Sequence, residues 1–137
     1  MIFRQLFDPE SSTYTYLLAD NGEAVLIDPV MEQLERDLKL LNELNLALRY
    51  CLDTHVHADH VTAAGSLRTR TGCKTAVCGD AGVACADIPL SDGDSLTVGT
   101  HTIEVRATPG HTSGCMTFVL NDGQQVRAFT GDTMFIR

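Results

Sequence analysis

The stretch Thr54-His55-Val56-His57-Ala58-Asp59-His60 decides how the rest of this chain is read. It holds three of the five histidines in 137 residues, with an aspartate between the last two. Directly before it, Leu48-Arg49-Tyr50-Cys51-Leu52 predicts a strand, so the run sits at a strand's C-terminal end, where α/β proteins usually place their sites. Along an extended segment, residues two apart point to the same side, so His55 and His57 can converge on one metal. Asp59 and His60 fall on the turn that follows, where they can serve a second metal or hold coordinating imidazoles in one tautomer. The bland alternative is a surface loop of solvated histidines. Four ligand-type residues crowded behind an apolar strand argue against it.

Two later segments offer partners. Ala107-Thr108-Pro109-Gly110-His111-Thr112-Ser113-Gly114 ends a strand at a Pro-Gly turn and carries His111 on small residues, where backbone can approach a site closely. Phe129-Thr130-Gly131-Asp132-Thr133 is an apolar strand ending in Gly-Asp, and strand-terminal aspartates are commonly plain turn residues. Taken together, the three strand ends supply imidazoles from two loops and a carboxylate from a third. Such a donor set suits zinc, iron or manganese. One metal, or two about 3.5–4 Å apart with Asp132 between them, are both compatible with the spacing.

The remaining pattern is α/β. Strands are expected at 2–7, 13–20, in the apolar run of 24–29 that Asp28-Pro29 stops, and at 74–78, 95–98, 102–108, 116–120 and 126–130, with a tight hairpin at Asn21-Gly22. Met31, Leu34, Leu38, Leu41 and Leu44 recur at helical steps and predict a helix over 31–45 that packs on the core. Glu32–Arg36 and Glu35–Lys39 would pair on its outer side. A second helix fits 61–71, closed by Gly72, and residues 79–89 read as loop. No repeat or linker interrupts the chain, which predicts one domain over 1–137.

Eighteen acidic against ten basic residues give a formal charge of −8, which disfavours nucleic acid and anionic membranes as partners. No apolar run reaches the roughly 20 residues of a membrane span, and no secretory or transit leader is visible. Five cysteines without a CxxC pair suggest reduced, packed thiols, and with them a cytoplasmic location. Cys115 fits packing at the start of an apolar strand better than a sulfur-carrying role. His101 is expected at a strand start, facing solvent.

The His-x-His-x-Asp-His run, the later single His and the strand-terminal Gly-Asp resemble the metallo-β-lactamase superfamily, whose fold is an αββα sandwich with its metal site at one sheet edge. A narrower resemblance rests on Ser11-Ser12-Thr13-Tyr14-Thr15-Tyr16-Leu17-Leu18, Val25-Leu26-Ile27-Asp28-Pro29-Val30, Thr108-Pro109-Gly110-His111-Thr112-Ser113-Gly114-Cys115 and Thr130-Gly131-Asp132-Thr133-Met134-Phe135-Ile136-Arg137. These segments, spread along essentially the whole chain, look like the persulfide dioxygenases (sulfur dioxygenases, the ethylmalonic-encephalopathy protein family). That resemblance implies one Fe(II) per chain, held by His55, His111 and Asp132 as a two-His-one-carboxylate triad. His57, Asp59 and His60 would stand behind these ligands and orient them. The implied reaction oxidises glutathione persulfide with O2 to sulfite and glutathione. A homodimer is left open.

Family members continue beyond the Ile-Arg that closes this sequence. The resemblance therefore implies that these residues are mainly the N-terminal part of the sandwich, with an apolar sheet face left for missing chain to cover. Two other functions compete. A glyoxalase-II-like hydroxyacylglutathione hydrolase would use a dinuclear site that also takes His57, Asp59 and His60 as ligands. A truncated, non-catalytic metal-binding module would keep the triad without a complete substrate pocket.

Overall fold

Tyr16 and Leu18 face one way from their strand, and Leu17 and Ala19 face the other. That alternation, expected of a strand buried on both sides, sets the layers of the molecule. The computed structural model describes residues 2–10, 13–54, 64–78, 87–107, 116–121, 126–129 and 134–136. Among these, the elements run β1 (Ile2–Asp8), β2 (Thr13–Asp20), β3 (Glu23–Ile27), a 3-10 turn (Met31–Gln33), α1 (Leu34–Glu43), β4 (Ala47–Leu52), α2 (Ala64–Thr71) and β5 (Lys74–Cys78). They continue with β6 (Ile88–Leu90), β7 (Ser95–Val98), β8 (His101–Ala107), β9 (Met116–Asn121), β10 (Val126–Phe129) and β11 (Met134–Ile136).

The first sheet has the order β1-β2-β3-β4-β5-β6, and the second the order β11-β10-β9-β8-β7. Strands β3 to β6 are parallel, while the whole second sheet is antiparallel. Between the sheets lies a core of Tyr16, Leu18, Val25, Ile27 and Leu52 against Val98, Ile103, Val105, Phe118, Leu120 and Phe129. On the other face of the first sheet, Leu34, Leu38, Leu41 and Leu44 of the α1 segment and Leu67 of α2 pack against Leu17, Ala19, Leu26 and Cys51. A register shift at Ala24/Val25 pairs Ala24 with Leu48 but Val25 with Tyr50, so Leu48 and Cys51 both reach the helical side. The chain thus builds helix, sheet and sheet, three layers of the expected αββα sandwich.

One expectation is corrected here. The first sheet's inner face is not left bare, because β7–β11 of this same chain cover it. Among the described residues the large exposed hydrophobic is Phe7, at 44%. The second sheet turns Thr102, Glu104 and Arg106 of β8 outward, and the last two pair at 2.8 Å. Its outer face on that strand is therefore polar.

Two strands, β6 and β11, go beyond the sequence reading. Each spans three residues at a sheet edge, too short for a period to show. Pro89 is tolerated in β6 because an edge strand has one hydrogen-bonded side. The expected charge pairs along α1 are also replaced. Arg36 bonds Asp37 and the Phe7 carbonyl, Glu35 meets Arg70 of α2 at 3.1 Å, and Lys39 meets Glu43. Neighbouring elements offer partners that helical spacing alone does not reveal.

A latch joins the two sheets at one end. The Asp20 carboxylate accepts hydrogen bonds from the Thr100 amide at 2.8 Å and the Thr100 hydroxyl at 2.7 Å, and lies 3.0 Å from His101 Nδ1. The Thr100 amide, then its hydroxyl and His101, hold the Asp20 carboxyl well below the usual range. His101, expected to face solvent, is instead part of this contact. The Gly99 amide donates to Glu23 at 2.9 Å. Gly99 has φ +57°, and a Cβ there would come within 2.5 Å of the Asp20 carbonyl, so glycine is required by both backbone and space.

Asp37 carries a pH dependence. It is 1% exposed, with Oδ2 lacking a hydrogen-bond partner among the described residues. Burial pushes its carboxyl up from 3.8 to about 6, with Arg36 offsetting part of the rise. The folded chain therefore keeps a proton that the unfolded chain releases, and stability falls as pH rises through this window. At most about 3 kcal/mol is involved at neutral pH. Asp37→Asn is expected to gain thermal stability over the parent as pH goes from 4 to 7, measured by scanning calorimetry. A difference that stays flat across that range would rule this origin out.

Candidate metal centre

The parallel run β3–β6 brings the C-terminal ends of those strands to one edge of the first sheet. In the second sheet, the pairs Ala107↔Met116, Phe129↔Phe118 and Phe129↔Met134 bring the ends of β8 and β10 together. The latch at Asp20, Glu23 and Thr100 ties the start of β8 to the β2–β3 turn, so β8 runs toward the edge where β3 and β4 end. Consistent with this, the Phe129 ring lies 4.9 Å from that of Tyr16, which pairs with Ile27 at the end of β3. The strand ends leading into residues 55, 108 and 130 therefore open at one end of the sandwich. His55, His57, Asp59, His60, His111, Asp132 and Cys115 themselves lie outside the described residues.

Against Thr54, the last described residue before the histidine run, sits a carboxylate that reads in sequence only as a strand stop. Asp28 follows the all-apolar β3, is 3% exposed and holds φ 55°, a left-handed conformation that Asp tolerates better than most residues. Its Oδ1 accepts from the Thr54 amide at 2.8 Å and its Oδ2 from the Thr54 hydroxyl at 2.7 Å. Its own amide donates to the Leu52 carbonyl at 2.7 Å, and its carbonyl accepts from the Thr15 hydroxyl at 2.8 Å. Three strands thus fix Thr54, the residue before His55. The signal available in sequence was an Asp-Pro directly after a buried strand; its contacts, 26 residues away, were not legible.

Asp53 is the second such residue. It is 8% exposed, its amide donates to the Ala76 carbonyl at 3.2 Å, and its Oδ1 has no hydrogen-bond partner among the described residues. Burial first, and the nearby Asp28 carboxylate second, push its carboxyl up to about 8. At neutral pH Asp53 therefore keeps its proton most of the time, and the Asp28 carboxylate leaves a negative charge at the root of a histidine-rich segment that a divalent cation would offset. The donor types in the segments that this edge leads into, imidazole and carboxylate, fit a metal ion. An aromatic wall flanks this edge: Tyr16 is fully buried between Phe3 and Phe129 with its hydroxyl 3.3 Å from Gln5 Nε2, while the Tyr14 ring lies tilted against Phe7 at 4.9 Å.

A family model described as the metallo-beta-lactamase superfamily matches residues 8–137. The mouse and human proteins named "Persulfide dioxygenase ETHE1, mitochondrial" are each 51% identical over 140 residues, covering 100% of this chain and 54% of their own length. A crystal structure of ETHE1 from Myxococcus xanthus superposes with a TM-score of 0.87 at 51% identity, covering 95% of this chain and 56% of that one. The chain spans about half the length of the curated relatives it matches. Those relatives are mitochondrial by name, which overturns the cytoplasmic expectation. Reduced thiols fit any reducing compartment, so the cysteine pattern never singled out the cytoplasm. Among the described residues, no helix is long and apolar enough to cross a membrane.

Proposed function

Because the chain belongs to the metallo-beta-lactamase superfamily, we propose that it carries the metal-binding residues of an iron-dependent persulfide dioxygenase. The reaction is oxidation of glutathione persulfide by O2 to sulfite and glutathione. What supports this reading above all is identity that runs along the whole chain to the persulfide dioxygenases, not merely through the histidine run shared by the superfamily. Fe(II), one per chain, would be held by His55, His111 and Asp132, a set that leaves coordination positions open for substrate and O2. When bound, the iron supplies the redox chemistry that no protein side chain can.

The chain's own residues do the rest. Asp28 anchors Thr54 through two hydrogen bonds and so sets where His55 begins. Asp53 places a second buried acid beside it. His57, Asp59 and His60 would hold the coordinating imidazoles in orientation rather than bind iron. The Tyr16–Phe129 wall keeps water out of the sheet-to-sheet core beneath the site. Metal analysis of the purified chain, paired with O2 consumption on glutathione persulfide, tests the reading. The expected result is about one iron per chain with persulfide-dependent O2 uptake. Two metals per chain with cleavage of an acyl-glutathione thioester would favour the hydrolase instead.

A further inference from the structure

Cys51 on β4 and Cys73 at the entry to β5 face each other inside the core between the first sheet and the helices, with Sγ atoms 3.7 Å apart. Cys51 pairs with Thr75 across these parallel strands, and Cys73 lies two residues before Thr75, which puts both thiols on the same face. We propose that Cys51 and Cys73 are a modification site: a dithiol that a hydroperoxide oxidises to a reversible intramolecular disulfide. The bond would close the loop that carries the histidine run and α2.

The two sulfurs have distinct parts. Cys73 sits beneath the exposed turn Thr71–Gly72 and before exposed Lys74, so it is the member a small oxidant meets first. The hydrogen bond with Cys51, aided by the Thr71 hydroxyl, brings the Cys73 thiol down to about 7 against the cost of burial, which favours the nucleophilic thiolate. The same contact, together with burial, pushes the Cys51 thiol up, so Cys51 keeps the proton.

The chemistry balances. The Cys73 thiolate attacks one peroxide oxygen, an S–O bond forms, the O–O bond breaks, and hydroxide leaves to take up a proton. Cys51 sulfur then attacks the sulfenic sulfur, the S–S bond forms, the S–O bond breaks, and water departs with the Cys51 proton. Two thiols and one hydrogen peroxide give one disulfide and two waters, the sulfurs losing two electrons and the peroxide gaining them. Closing 3.7 Å to a bond of about 2.05 Å needs a movement of about 1.7 Å. Cys73, outside the strand and next to Gly72 at φ +77°, is placed to make it. Two molecules of a monothiol such as glutathione reverse the reaction, leaving as their disulfide.

Peptide mapping tests this on the full chain. The folded protein is treated with a small excess of hydrogen peroxide, alkylated, digested with trypsin and weighed. Residues 50–68 are expected joined to residues 71–74, about 2 Da lighter than the sum of the reduced peptides. Reduction before alkylation should restore both thiols, and Cys51→Ala should give sulfenic or sulfinic acid on Cys73 with no link. Recovery of both peptides alkylated after peroxide would overturn the proposal. So would Cys73 joined to Cys78, Cys85 or Cys115 instead. Should Cys51→Ala fail to fold by circular dichroism, the map of the unaltered chain still decides between these outcomes.

Discussion

Replacement of His111 or of Asp132 by alanine is expected to strip iron and persulfide-dependent O2 uptake together. Each change removes one of three proposed protein ligands, and the remaining two cannot hold Fe(II) against competing water and buffer. The loss should exceed the roughly 10–100-fold that deletion of an outer partner costs in metal affinity or activity. His57→Ala supplies that comparison, since His57 is proposed to orient a ligand rather than to be one. Iron content by atomic spectroscopy is the primary readout, because it does not depend on a complete substrate pocket. Full iron and turnover in either His111→Ala or Asp132→Ala would sink the triad. A His57→Ala variant as iron-free as those two would instead bring the dinuclear reading forward.

Asp28→Ala is expected to destabilise the chain and loosen the site at once. It removes the carboxylate to which the amide and hydroxyl of Thr54, a residue 1% exposed, both donate. A hydrogen bond to a charged group contributes about 1.5–3 kcal/mol, so the pair is worth about 3 kcal/mol or more in a urea titration. The left-handed φ of 55° adds a backbone cost for alanine of about 1–2 kcal/mol. Asp28→Gly removes the backbone part alone. If glycine recovered most of the lost stability, the carboxylate would not be the anchor described here. Asp28→Asn, which keeps an acceptor and tolerates the conformation, should fall between aspartate and alanine. Iron affinity should follow the same order, because Asp28 fixes Thr54, the residue that leads into the histidine run.

Much of this architecture was legible from local pattern. The alternation in β2, the apolar run of β3, the Leu stripe of α1 and the Asn21-Gly22 hairpin all express side-chain periods that need no knowledge of distant residues. The histidine run was legible for a related reason: its ligand types lie within one segment, at the end of a strand. The short edge strands β6 and β11 were not, since three residues show no period. Nor were the charge partners of Arg36 and Glu35, which come from β1 and α2.

The same division holds for the functional edge. Sequence carried the chemistry: which side chains can bind a metal, and which family pattern they match along the chain. It could not carry the support beneath them, because a buried carboxylate announces itself only when the strands around it are in place. Asp28 reads as a turn residue until β2, β3 and β4 assemble and turn it onto Thr54. Cys51 and Cys73 read as separate packing residues until the β4–β5 register sets them face to face. Covering of the first sheet by β7–β11 likewise depended on long-range packing of two apolar faces, which no local pattern encodes.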